Sequence, residues 1–155
     1  GRGLINFEPQ EESLAMETYE TWVKLFELQK YYSWIVDRFH LSTMAWGQIH
    51  DRAPEDFGWL EDRLEPLGFH VVLCARRAET FEAARAERLV VSGKPDQYDD
   101  LGVFLREQQV LRDLAAVSRL PVMELDMSDG DIGAACARIT DWMASTGGLW
   151  APGVE

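Results

Sequence analysis

Phe69-His70-Val71-Val72-Leu73-Cys74 is a run of apolar residues broken only by His70. A strand in a parallel sheet covered on both faces is written this way, because neither face alternates toward solvent. Helical patterns flank the run. Upstream, Pro54 opens a segment with Phe57, Leu60 and Leu64 on one face, and Gly68 closes it. Downstream, a helical stretch is expected from Ala78 to about Leu89, then a loop at Ser92-Gly93-Lys94-Pro95-Asp96 by its turn residues. Asp99 or Asp100 caps a long helix carrying Leu101, Phe104, Leu105, Gln108 and Leu111. After Pro121, Val122 to Leu125 reads as another strand. A last helix uses Ile132, Ala135, Cys136, Ile139 and Trp142 as its apolar face.

The N-terminal third continues the alternation. Leu4 to Phe7 reads as a short strand stopped by Pro9. Ser13 is placed to cap a helix with Tyr19, Trp22, Val23 and Phe26 at helical spacing. Trp34-Ile35-Val36 reads as a further strand, and a helix is expected from about Leu41 to Ile49. Strands alternating with helices predict an α/β fold, a mostly parallel sheet with helices on both faces. Residues 1–146 form a single domain in this reading, and residues 147–155 are a Gly- and Pro-rich tail expected to be poorly ordered. Ligands of such sheets gather outside the carboxyl ends of the strands. Those ends carry Glu8, Asp37-Arg38, Arg76-Arg77 and Asp126.

Bulk properties narrow the classes. The 155 residues suffice for one domain with a core, and 46% hydrophobic with 27% charged residues is globular rather than disordered composition. A net charge of −12 argues against a nucleic-acid duplex as partner, since phosphate backbones are bound by clustered Lys and Arg. No apolar run approaches the ~20 residues of a membrane helix. The opening Gly1-Arg2-Gly3 reads as a processed or truncated end. Cys74 and Cys136 lie in apolar segments without metal spacing, so buried free thiols in a reducing cytoplasm are expected. His40, His50 and His70 form no cluster. His70 reads as a satisfied core histidine, and His50-Asp51-Arg52 as surface.

The stretch that carries chemistry is Ile35-Val36-Asp37-Arg38-Phe39-His40-Leu41-Ser42. An acid and a base end an apolar strand, and a helix with small polar residues follows. An arginine there holds a phosphate or hydroxyl-bearing substrate in a fork, and the acid orients a metal-bound water or the arginine itself. A local ion pair with a helix cap at Ser42 or Thr43 explains the same residue types.

Asp37-Arg38-Phe39-His40-Leu41-Ser42-Thr43-Met44-Ala45-Trp46-Gly47 resembles the strand-end motif of P-loop kinases of the thymidylate kinase and deoxynucleoside kinase type. The resemblance implies that Arg38 binds the phosphoacceptor and that Asp37 lies near the phosphates and magnesium, through water. Phe7-Glu8-Pro9 resembles the Glu-Pro of the same kinases. Glu8 is thereby implied as acceptor of the proton from an attacking hydroxyl. Arg85-Ala86-Glu87-Arg88, the polar loop through Lys94, and Tyr98 before a long helix resemble the lid, with Arg85, Arg88 and Lys94 as its cations. On their own, Arg85 and Arg88 read equally as solvated helix positions paired with Glu82 and Glu87. Arg52 is a further candidate for the acceptor phosphate. Trp22, Phe26, Tyr31 and Trp46 include candidate base-stacking residues, or plain core; Trp22 and Phe26 lead.

The resemblance covers most of Leu4 to Met143. It implies a nucleoside or nucleoside monophosphate as substrate, with ATP and magnesium as cofactors of the complete enzyme. The family's phosphate loop, Gly-x-x-x-x-Gly-Lys-Ser/Thr, is not found. Ser92-Gly93-Lys94-Pro95 lacks the first glycine, and Pro95 removes an amide. This chain alone is therefore not expected to bind ATP tightly. Either the loop and its strand lie upstream of Leu4, or Leu4 to Glu8 is a degenerate first strand with Gln10-Glu11-Glu12-Ser13 as an eroded loop. The first reading leaves the sheet without one central strand, so that either a marginal monomer or a homodimer is expected. The alternative function is a non-catalytic interaction or binding domain derived from such a kinase.

Overall fold

The computed structural model describes residues 11–29 and 32–147. Leu4 to Pro9, with Glu8, Tyr31 and the tail from residue 148 lie outside the described residues. In chain order the elements are α1 (Glu12–Leu28), α2 (His40–Ile49), α3 (Gly58–Leu64), β1 (Val71–Ala75), α4 (Phe81–Val91), α5 (Leu101–Val117), β2 (Val122–Asp126) and α6 (Ile132–Ser145). Short 3₁₀ turns at Glu65–Leu67, Ala78–Thr80 and Pro95–Tyr98 join them. The protein is α/β, with six α-helices around a two-stranded parallel sheet among the described residues.

Local chemistry sets the boundaries. Asp100 caps α5 by accepting the Gly102 amide at 2.8 Å, and Asp131 caps α6 by accepting the Ala134 amide at 2.9 Å. The turn after α3 ends at Gly68, whose φ of 74° is open to a residue without Cβ. Two expected caps are not used. Ser13 lies inside α1, and α2 starts at His40, ahead of Ser42 and Thr43, with no side-chain cap at Phe39.

The core forms where α1 meets α3. Tyr19, Val23 and Phe26, spaced along one face of α1, bury against Phe57, Leu60, Leu64 and Leu120. Trp22, Trp34, Val36, Phe39, Phe69 and Val71 pack around that cluster. Tyr19 touches Phe39 edge-on at 4.9 Å and Phe26 touches Phe69 at 4.9 Å. The same helix thus braces both the residue after Arg38 and the approach to β1. α2 packs along α5.

Val71 pairs with Val122 and the register runs to Ala75 with Asp126. The Val71 amide donates to Pro121 and the Met127 amide to Ala75, so Val72 and Cys74 turn their backbone groups to the other edge. The next residue in that series, Arg76, is met by a carboxamide from α5. Its amide donates to Gln108 Oε1 at 2.8 Å, and Gln108 Nε2 donates to its carbonyl at 3.0 Å. At Val72 and Cys74 the edge has no backbone partner among the described residues.

Four expectations change. Trp34-Ile35-Val36 is not a strand, although burial alternates: Trp34 and Val36 pack on the core while Ile35 is 97% exposed. A strand requires a ladder, and these residues have no hydrogen-bonded neighbour strand among the described residues. Cys74 and Cys136 are exposed, not buried. Cys74 sits where β1 is uncovered, and Cys136 turns away from the buried Ala135. Ile132, expected on the apolar face of α6, is 62% exposed. His70 precedes β1, half-buried; its Nδ1 bonds the Gly68 carbonyl at 2.6 Å and its ring meets Trp142 edge-on.

Candidate functional site at the Asp37–Arg38 turn

Val36 anchors the chain on one side of Asp37 and Arg38, and Phe39 and His40 on the other. Between these anchors Arg38 adopts φ 59°, the left-handed region. A residue with Cβ there costs about 1–2 kcal/mol, so the conformation persists only because its neighbours fix it. The side chain of Arg38 is 57% exposed, and Nη1 lies 3.5 Å from Glu107 Oε1 on α5. Such a pair at the surface contributes little stability. The next residue of α5 is Gln108, which holds Arg76. α5 therefore reaches both the Arg38 turn and the carboxyl end of β1. Asp37 is exposed, and its charge adds to the effect of burial in pushing the Cys74 thiol upward. Asp37 thus lies within electrostatic reach of Cys74 on β1.

The other carboxyl-end residues are tied to one another. Arg76 donates to the carbonyls of Thr80 and Met127, and Arg77 pairs with Asp126 at 3.0 Å. Hydrogen bonds from Ser128, hydroxyl and amide, hold the Asp126 carboxyl below its usual range, with Arg77 adding to them.

The remaining candidates divide. Arg52 lays its guanidinium over the Trp46 ring, 4.1 Å from the centroid, and His50 stacks on the same ring at 4.4 Å. A cavity of about 20 Å³ lined by Thr43, Met44, Gly47, Gln48, Ala53, Pro54 and Glu55 adjoins them. Phe26 packs as a core residue: it is 1% exposed, ringed by Trp22, Trp34, Phe39 and Phe69. Trp22 lies half-buried against the same cluster. Arg85 and Arg88 do not pair with Glu82 and Glu87. Arg85 Nε donates to the Tyr98 carbonyl at 2.6 Å, with Asp99 at 3.3 Å, and Arg88 Nε donates to the Tyr98 hydroxyl at 2.9 Å. Both arginines brace the Pro95–Tyr98 turn on α4, and Tyr98 stacks on Phe104 of α5. Lys94 is exposed, its amide bonded to Ser92 Oγ.

Sequence reasoning missed one constellation. His40, 3% exposed, bonds through Nε2 to Glu61 Oε1 at 2.9 Å. Glu61, 8% exposed, also accepts the Ser118 hydroxyl at 2.7 Å and the Arg119 amide at 2.9 Å. Burial alone raises the Glu61 carboxyl, but the Arg119 amide, the Ser118 hydroxyl and His40 together hold it below its usual range. Burial lowers His40, and Glu61 only partly opposes it. His40 is thus a neutral donor to a carboxylate. No spacing announces this: the partners are 21 and 57 residues apart.

Among the described residues no group of three or more His, Cys, Asp or Glu is arranged to hold a metal ion, and no helix is long and apolar enough to cross a membrane. Comparison with protein-family models, with curated proteins and with solved structures finds no match to this chain.

Proposed function

We propose that this chain carries the phosphoacceptor and lid portion of a nucleoside or nucleoside-monophosphate kinase similar to thymidylate kinases. The observation that carries the reading is the Asp37–Arg38 turn. An arginine is held in a disfavoured backbone conformation, with its guanidinium exposed and only loosely paired to Glu107 of α5. Backbone strain of this kind clusters at binding and catalytic sites, which motivates a functional reading of Arg38. In this reading Arg38 leaves Glu107 and forks onto the acceptor phosphate or hydroxyl, a charge-assisted contact that fixes the acceptor for in-line transfer. Asp37 orients Arg38 or a water of a magnesium ion. Gly93 and Lys94 are followed by Pro95, and the Lys94 amide is already bonded to Ser92, so no amide cradle for phosphates is formed there. No transfer step is assigned to these residues alone. Mg-ATP should therefore show no micromolar binding in calorimetry.

The second reading is a non-catalytic interaction domain derived from such a kinase. It is favoured by Arg85 and Arg88, which are spent on Tyr98 and Asp99 rather than presented to a phosphate. Calorimetry with thymidine monophosphate separates the two. Binding that Arg38→Ala weakens at least about tenfold, with unfolding unchanged, supports the kinase reading. No binding of any nucleoside or nucleoside monophosphate removes it.

A further inference from the structure

We infer that Glu61, acting through His40, is a positioning residue for the Asp37–Arg38 turn. The functional half of this inference rests on reading Arg38 as the substrate-facing group; the conformational half stands without it. His40 opens α2, two residues after Arg38, and α2 has no side-chain cap at Phe39. Something other than a cap must fix the chain as it leaves the left-handed residue. Phe39 contributes ring contacts with Tyr19 and Phe26. Two directional contacts act at the start of α2: the hydrogen bond between the Tyr19 and Thr43 hydroxyls, and, nearer the turn, the His40 hydrogen bond to Glu61.

Glu61 is suited to be the fixed end. Its oxygens take three donors from two separate places, His40 at the turn and Ser118 with Arg119 after α5. The α5 end of this network belongs to the same helix that bears Glu107 and Gln108. The carboxylate offers no proton, so His40 must donate from Nε2, and the tautomer is imposed by Glu61. His40 Nδ1 is buried without a hydrogen-bond partner. The ring therefore has no second hydrogen bond among the described residues to hold it if the first is lost, and the Phe39 and Phe57 rings lie against it.

The test is a double-mutant cycle between Glu61→Gln and Arg38→Gly, read by urea unfolding. Glycine removes the penalty of the left-handed conformation. If the Glu61–His40 contact restrains that conformation, losing it lets Arg38 relieve its strain, whereas glycine has none to relieve, so Glu61→Gln should perturb the folding equilibrium about fivefold more in the Arg38→Gly background. Nitrogen-15 NMR should show His40 as the Nε2–H tautomer in the native protein. In Glu61→Gln it should switch to Nδ1–H, because the new amide nitrogen donates to Nε2. If Glu61→Gln does not fold, His40→Gln, which keeps a donor, replaces it in the same cycle against His40→Leu. His40→Gln should retain the coupling and His40→Leu should lose it. Additive effects overturn the inference whatever the tautomer. Thymidine monophosphate titrated into the native protein and Glu61→Gln keeps the two readings apart. Coupling with no nucleotide binding by either protein defeats only the kinase reading. Nucleotide binding without coupling defeats only the positioning role.

Discussion

Replacing Glu61 by alanine should be among the most damaging changes to this fold. The substitution removes the acceptor for the His40 Nε2–H, the Ser118 hydroxyl and the Arg119 amide at once. Each donor stranded away from water costs roughly 1–3 kcal/mol. The sum is not fully realised, since Ser118 and Arg119 end a helix at its surface and reach water by small shifts. His40, 3% exposed, does not. We expect a loss of about 3–5 kcal/mol, a large part of the roughly 5–15 kcal/mol available to a domain. Urea unfolding followed by far-UV circular dichroism at pH 7.5 reads it, with the slope checked for constancy. A loss below about 1 kcal/mol would mean that water already serves these donors, and would refute the picture of Glu61 as a buried hub.

Further outcomes follow from the same geometry. Stability should decline on acidification in two stages: His40, held below its ordinary 6.5 by burial, resists the proton that the unfolded chain accepts below that pH, and Glu61, held below 4.5 by its donors, does the same further down. Both contributions are complete above pH 6.5 and fade as the pH falls, with a slope of at most about 1.4 kcal/mol per unit for one proton. His40→Gln should flatten the first stage, and an unchanged urea midpoint between pH 7 and 5 in the native protein would argue against a neutral buried His40. Phe26→Ala should cost about 3–5 kcal/mol by emptying the centre of the aromatic cluster; a small loss in thermal unfolding would return Phe26 to the list of exposed candidates. Arg88→Ala should speed amide exchange in the Pro95–Tyr98 turn while leaving β1 unchanged, because Arg88 ties that turn to α4 through the Tyr98 hydroxyl.

What could be read ahead of the structure was local. The apolar run at Phe69–Cys74 and its partner at Val122–Leu125 became β1 and β2 within a residue or two, because a short apolar run bounded by turn residues is a local signal; the full burial on both faces that the run suggested did not follow, since only Ala75 and Leu125 of the two strands are buried. Gly68 and Asp100 marked their boundaries for reasons confined to one or two residues, a positive φ and an accessible carboxylate. Several of the readings that changed depend on a partner distant in sequence. Trp34–Val36 has strand composition, yet a strand exists only in a ladder. Arg85 and Arg88 looked paired within their helix until the Pro95–Tyr98 turn folded Tyr98 back onto them. Phe26 and Trp46 are both aromatics in helices, and only packing separates the buried ring from the one under Arg52. Glu61 sits in Gly58–Leu64 as one acid among several, with nothing local to set it apart from Asp62, which pairs with Arg119.

If the Asp37–Arg38 turn receives the phosphoacceptor, as proposed, ligand should perturb that turn first. Nitrogen-15 amide spectra of the native protein, titrated with thymidine monophosphate and with thymidine, test it most directly. Saturable shifts should centre on Asp37, Arg38 and Phe39, extend to Glu107 as Arg38 leaves it, and be lost in an Arg38→Ala protein whose remaining spectrum is native. Shifts confined to other surfaces, or shifts that survive Arg38→Ala, would contradict it.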